Sequence, residues 1–164
     1  MTVDFPNKHF LINGEWVCSN TEIDLINPST GDVIAQVSEA NNEHVNDAVG
    51  VAKDTLENTW KNITARERST LLSTLGRLIE ENYDVLASLE ATDVGKPLRQ
   101  AQADVKALAR YMEFYAGAAD KLHGDTIPYL KDYTVYTLRE PHGVCAHIIP
   151  WNYPCLLYTS PSPR

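Results

Sequence analysis

Positive charge is what this sequence is shortest of. Among 164 residues, 14 Lys+Arg stand against 22 Asp+Glu, giving a formal net charge of −8 and a pI of about 5.0. That deficit argues against a cationic nucleic-acid surface and against a polybasic membrane patch. Long apolar runs are missing too: none approaches the ~18 residues that a membrane-spanning helix needs. Cysteine is scarce, with Cys18, Cys145 and Cys155 far apart and no C-x-x-C pair. Neither a disulfide framework nor a zinc knuckle is supported, and a reducing compartment fits. The opening residues, with Asp4 and Pro6, lack the basic n-region and apolar h-region of a signal peptide, which makes the cytoplasm the expected location. Also absent are G-x-G-x-x-G, a P-loop, H-E-x-x-H and G-x-S-x-G, so no complete catalytic set is visible.

What remains, 43% hydrophobic and 22% charged, is ordinary globular composition. Asn13-Gly14 between two apolar stretches predicts a β-hairpin over 9–18. Residues 21–26 and 32–37 are further strand candidates, joined by Asn27-Pro28-Ser29-Thr30-Gly31, a turn that pairs a fixed-φ proline with a permissive glycine. From Asn42 the period becomes helical. Val45, Ala48, Val49, Ala52, Leu56 and Trp60 form one stripe and predict a helix over about 42–60. Thr64 and Glu67 have capping-box spacing and open a helix to about 82, with Leu71, Leu72, Leu75, Leu78 and Ile79 as its apolar face. A segment carrying Val85, Leu86 and Leu89 runs on to Asp93, where Gly95 and Pro97 interrupt. Ala101, Val105, Leu108, Met112, Tyr115 and Ala119 then predict a long helix over roughly 98–122, packed within one domain rather than in a coiled coil. Strand character returns at 133–140. The near-continuous apolar run at 144–149 reads as a buried strand of the kind parallel sheets contain.

The last ten residues, CLLYTSPSPR from Cys155 to Arg164, have no apolar periodicity and no cap. Reverse translation as TGT CTC TTA TAC ACA TCT CCG AGC CCA CGA gives, in one frame, a DNA string that resembles the transposase end and adaptor of tagmentation libraries. The expectation is that 155–164 is a non-native tail and that 1–154 is the N-terminal part of a longer protein. A natural Pro-rich tail is the alternative.

The segment Ile149-Pro150-Trp151-Asn152-Tyr153-Pro154 follows the apolar run directly. In open α/β sheets ligands bind beyond the carboxyl ends of strands, so polar groups at this place are suspect by position. Two prolines fix the backbone around an indole donor and an amide donor, a rigid way to aim both at an oxyanion or a phosphate. A Pro-bracketed surface turn whose Trp packs on a neighbour is the other reading of the same residues.

These stretches resemble landmarks of the NAD(P)-dependent aldehyde dehydrogenase superfamily. FLINGEW, NPSTGDVIAQV, LEATDVGKPL, YAGAADKLHGDTIP and, most specific, EPHGVCAHIIPWNYP occur in the family's order over about residues 10–154. The resemblance implies an incomplete α/β fold: the family's β-hairpin, its N-terminal α-helices, an oligomerisation strand at about 133–140, and the first strand of the dinucleotide-binding sheet at 144–149. It implies a parent oxidoreductase that converts an aldehyde to a carboxylic acid with NAD or NADP, through a cysteine thiohemiacetal and thioester, as a homodimer or homotetramer.

By the same resemblance Asn152 would donate its amide to the oxyanion, while Ile149, Pro150 and Trp151 would contact the cofactor. Ile26, with Leu25 as the alternative, and Asp93 would hold a structural monovalent cation; a helix-terminal carboxylate with no ion is the plainer reading of Asp93. The family's nucleophilic cysteine, general-base glutamate, glycine-rich segment and ribose-binding lysine come later than any residue here, so the fragment itself is expected to be inactive. Cys145 is accordingly expected as a small core residue, Cys18 as a hairpin residue, and His142 and His147 as turn and strand residues. A small α+β binding or regulatory module without catalysis is the competing reading.

Overall fold

The structure, a computed structural model, describes residues 9–157. It begins with the hairpin: β1 (Phe10–Ile12) pairs antiparallel with β2 (Glu15–Val17), Leu11 opposite Trp16. Asn13 and Gly14 both take positive φ, 54° and 78°, the geometry that makes an Asn-Gly turn match the twist of its strands. A second antiparallel pair joins β3 (Glu22–Ile26) to β4 (Val33–Ser38). Its connection is closed by Gly31 N–H donating to the Asn27 carbonyl at 2.8 Å and by Ser29 N–H donating to Asn27 Oδ1 at 2.8 Å.

Four helices of three turns or more follow. Helix α1 (Asn42–Asn58) is opened by a reciprocal cap: Asn41 Oδ1 accepts from His44 N–H, and His44 Nδ1 accepts from Asn41 N–H, each at 3.1 Å. Helix α2 (Ala65–Glu81) carries the capping box read from Thr64 and Glu67. Thr64 N–H donates to Glu67 Oε2 at 2.7 Å and Glu67 N–H to Thr64 Oγ1 at 3.2 Å. Hydrogen bonds from the Thr64 backbone and side chain hold the Glu67 carboxyl below its usual range. Asn82 separates α2 from α3 (Tyr83–Val94), and α4 runs from Leu98 to Ala118.

The core lies where α2, α3 and α4 meet, built from Ile79, Ala87, Ala101, Val105, Ala109 and Met112. Gly76 lets α2 come close to α4: a Cβ there would stand 3.2 Å from Met112 Cβ and 3.4 Å from the Ala109 carbonyl oxygen. Beyond α4, β5 (Thr126–Ile127) pairs with β6 (Val135–Tyr136), so only two residues of the 133–140 stretch enter a ladder. The chain closes with one turn of helix, α5 (Pro154–Leu157). Residues 158–164, most of the stretch expected to be a tail, lie outside the described residues.

One expected element does not form within this chain. The run 144–149 pairs with no strand among the described residues, and Ile148 is 96% exposed. An apolar, β-branched run becomes a strand only against a neighbour that accepts its N–H and C=O groups, and every ladder described here is a two-stranded antiparallel pair formed elsewhere. On the apolar face of α2, Ile79 is buried and Leu72 half-buried, whereas Leu71, Leu75 and Leu78 are exposed. The same holds on α1, which buries no residue fully. Periodicity identifies the apolar face of a helix, and the neighbours among the described residues cover that face only in part.

Candidate functional site

The turn that carries the site, Pro150 to Pro154, bridges the unpaired 144–149 run and α5. Trp151 and Asn152 form its tip. Trp151 is 80% exposed, Asn152 and Pro150 are exposed, and Ile149 is half-buried. The four residues singled out from sequence are contiguous, and Pro150, Trp151 and Asn152 are exposed. An indole N–H and an amide NH₂ are free there to meet an anion.

Behind the turn lies a group that sequence reading missed. Lys96, in the link between α3 and α4, donates to Glu90 Oε1 at 2.5 Å and to Asp104 Oδ2 at 2.8 Å. Gln100 Nε2 donates to Asp104 Oδ1 at 2.9 Å. The side chains of Lys96, Glu90 and Asp104 are 10%, 1% and 4% exposed. Burial alone would lower the Lys96 pKa, but the hydrogen bonds and charges of Asp104 and Glu90 outweigh it and raise the value. Glu90 Oε2 is buried with no hydrogen-bond partner among the described residues. The Lys96 ammonium also lies 4.3 Å from the centroid of the Tyr153 ring, the residue next to Asn152. A signal existed: Asp104 stands on the apolar stripe of α4, between Ala101 and Val105, where an unpaired carboxylate would be costly.

Asp93 and Ile26 occupy a different place. Gly95 ends α3 in the left-handed conformation, with φ of 74°, and its N–H donates to the Ala91 carbonyl. A Cβ on Gly95 would fall 2.6 Å from Pro28 Cγ, so the turn after Ile26 is packed against the end of the helix that carries Asp93. Asp93 is half-buried, makes no ion pair among the described residues, and has its pKa raised by desolvation. Among the described residues no group of three or more His, Cys, Asp and Glu side chains has the arrangement of a metal centre.

Cys18 and Cys145 are exposed, which corrects the expectation that Cys145 is a core residue. Its Sγ donates to the Gly143 carbonyl at 3.6 Å, at a groove bounded by Leu56 and Trp60. Cys155 packs against the helical core, and burial, then the Glu90 carboxylate, pushes its thiol up to about 12. His142 and His147 are exposed and belong to no ladder among the described residues, so His147 is not a strand residue here.

Comparison with known proteins matches residues 16–162 to the model of the "Aldehyde dehydrogenase family". Aldehyde dehydrogenase family 2 member B4, mitochondrial, of Arabidopsis thaliana is 42% identical over 161 residues, covering 96% of this chain and 30% of the relative. Mitochondrial aldehyde dehydrogenase of Rattus norvegicus is 43% identical over 158 residues, again 30% of its length. Among solved structures, the NAD+ complex of an aldehyde dehydrogenase from Bacillus cereus superposes with a TM-score of 0.89 at 41% identity, covering 93% of this chain and 32% of that one. The chain thus spans about 30% of the length of the curated relatives it matches.

Proposed function

The chain belongs to the aldehyde dehydrogenase family, and from that premise we propose that it is the N-terminal part of an enzyme that oxidises an aldehyde to a carboxylic acid with NAD or NADP. The observation that carries the reading is the turn itself: Asn152, bracketed by Pro150 and Pro154, offers an exposed side-chain amide at a tip backed by buried charge. When a cysteine thiolate adds to an aldehyde, the carbonyl oxygen becomes an alkoxide, and a preorganised N–H aimed at that oxygen stabilises it more than it stabilises the neutral carbonyl. Asn152 Nδ2 is that donor. Trp151, Pro150 and Ile149 give an apolar shelf beside it on which the dinucleotide would rest; when bound, the cofactor supplies a hydride acceptor. The relatives named as NAD+ complexes support that part.

The thiolate and the general base would come from beyond these residues, where the family resemblance puts them; the Cys155 thiol, pushed up to about 12, is no candidate. Asp93 with the Ile26 or Leu25 carbonyl would hold a monovalent cation and so tie the turn after β3 to the end of α3. Exposed Tyr133, Tyr136 and Leu138 would form an oligomerisation edge in a homodimer or homotetramer. No described helix is long and apolar enough to cross a membrane. The cysteine usage supports a cytoplasmic location, although several relatives carry the name mitochondrial. Adaptor origin of 155–164 rests on the reverse-translated string alone, and the family match runs past Pro154 to residue 162.

The test is to sequence the source locus across codon 154 by long reads, express the open frame found there, and assay aldehyde-dependent reduction of NAD+ and NADP+. A frame continuing with further strands and helices, and activity that requires both aldehyde and dinucleotide, is the expected result. A native stop after CLLYTSPSPR would overturn it.

A further inference from the structure

We propose that Lys96 is a positioning residue for Asn152, acting through the face of the Tyr153 ring. The proposal rests on the reading of Asn152 as the oxyanion donor and concerns what holds that donor in place.

An ammonium has three N–H donors. Lys96 uses two on Glu90 Oε1 and Asp104 Oδ2, which fixes its head between α3 and α4 with its side chain 10% exposed. The Tyr153 ring lies 4.3 Å from the same nitrogen. A cation withdrawn from water attracts an aromatic face more strongly than an exposed one does, because less hydration is lost when the ring arrives. Tyr153 is thereby seated on a charge whose own position is set by two helices.

The turn is held on its downstream side, where Cys155 packs against the helical core, and less on its upstream side, where only Ile149 is half-buried. Upstream, Ile148 and Trp151 are almost fully exposed and 144–149 has no ladder among the described residues. Downstream, Pro154 restricts its own φ. Asn152 thus lies between a free side and a fixed one, and the nearest fixed point is the ring stacked on Lys96. An oxyanion donor must keep its place to a fraction of an ångström, so a contact at the adjacent residue governs it even though Lys96 touches no reacting atom.

Limited proteolysis of the full 164-residue chain reads this contact without catalysis. Chymotrypsin cleaves after an accessible Trp, and the bond after Trp151 becomes cleavable when the turn lifts. Its rate is divided by that of the matching 147–157 peptide, to cancel side-chain preferences, and compared with the rate after Tyr111 inside α4, which opens only with the helix. Tyr153→Leu is expected to raise cleavage after Trp151 roughly five- to thirty-fold, the range that a desolvated cation–π contact spans, and to leave the Tyr111 bond unchanged. Tyr153→Phe keeps the ring face and should match the original chain. Lys96→Met should act as Tyr153→Leu does; where it opens α4 as well, the Tyr153→Leu rate decides. Unchanged cleavage after Trp151 in Tyr153→Leu overturns the proposal. Asn152→Ala removes the donor and leaves the clamp, so its cleavage rate should not move. Failure of the oxyanion reading would appear only in catalysis, and the two failures are therefore separable.

Discussion

Gly95 packs against Pro28 so closely that a single added carbon would lie 2.6 Å from the proline Cγ. The contact joins the second β-pair, β3–β4, to the helical core through a backbone position already held at a φ of 74°. Gly95→Ala brings both a left-handed alanine and a ring contact that no side-chain rotation relieves. It should cost roughly 2–5 kcal/mol, the sum of left-handed strain and overpacking, read as a lower urea midpoint of the chain. An unchanged midpoint would mean that the turn swings away freely.

At Gly76 the tight neighbour is Met112 Cβ at 3.2 Å, a side-chain atom next to the backbone of α4. Gly76→Val should destabilise by about 1–3 kcal/mol through overpacking, whereas Gly50→Val, with open space around it, should leave the core intact. Equal effects at the two positions would argue against close α2–α4 packing.

Removing the Lys96 charge leaves Glu90 and Asp104 facing each other in the interior. Lys96→Met should cost about 3–5 kcal/mol near neutral pH. The pH dependence follows from the sign of the shift. The Lys96 pKa is higher in the folded chain, so its contribution is complete below the unfolded-chain value of about 10.4 and is lost as pH rises through the folded value. Denaturation midpoints of the original chain should fall in that alkaline window more steeply than those of Lys96→Met. Parallel curves would remove the argument.

Asp93 has the opposite role in a chain without a bound cation. Its pKa is raised by burial, so its folded-state advantage exists below the unfolded value near pH 4 and disappears as pH rises through the folded value. Asp93→Asn should therefore raise stability at pH 7 and not at pH 3. Potassium or sodium chloride, compared with tetramethylammonium chloride at equal ionic strength, should stabilise the original chain and lose its specific effect in Asp93→Asn. Identical salt curves for the two chains would count against the cation.

In the full-length enzyme, Asn152→Ala should lower kcat by roughly 10²–10³ with little change in KM, the pattern of a lost oxyanion donor. A raised KM for the dinucleotide at unchanged kcat would make Asn152 a binding residue instead.

What could be read without coordinates follows a physical division. The Asn13-Gly14 turn and the Thr64–Glu67 cap are settled within a few residues, since the groups that satisfy each other are neighbours in the chain. The helices follow from their apolar stripes for the same reason. The fate of 144–149 could not be read in this way, because β-branched composition shows that a ladder is favourable and says nothing of where its partner lies. Leu71, Leu75 and Leu78 make the same point for a helix face. At the site, the prolines around Asn152 were legible from their fixed φ, but the Lys96–Tyr153 contact joins segments that only the packing of α3 on α4 brings together.

The unequal charge count beneath the turn has a mechanical meaning. Glu90 belongs to α3, Asp104 to α4, and one ammonium serves both, leaving Glu90 Oε2 with no partner to spare. Sliding α4 along α3 by one turn, about 5.4 Å, would shift Asp104 relative to Glu90 so that one ammonium could no longer reach both, and would strand a carboxylate in the interior. The joint between these two helices consequently has a single detent: it can open, but it cannot creep, and whatever rides on Lys96 keeps one address until the helices part.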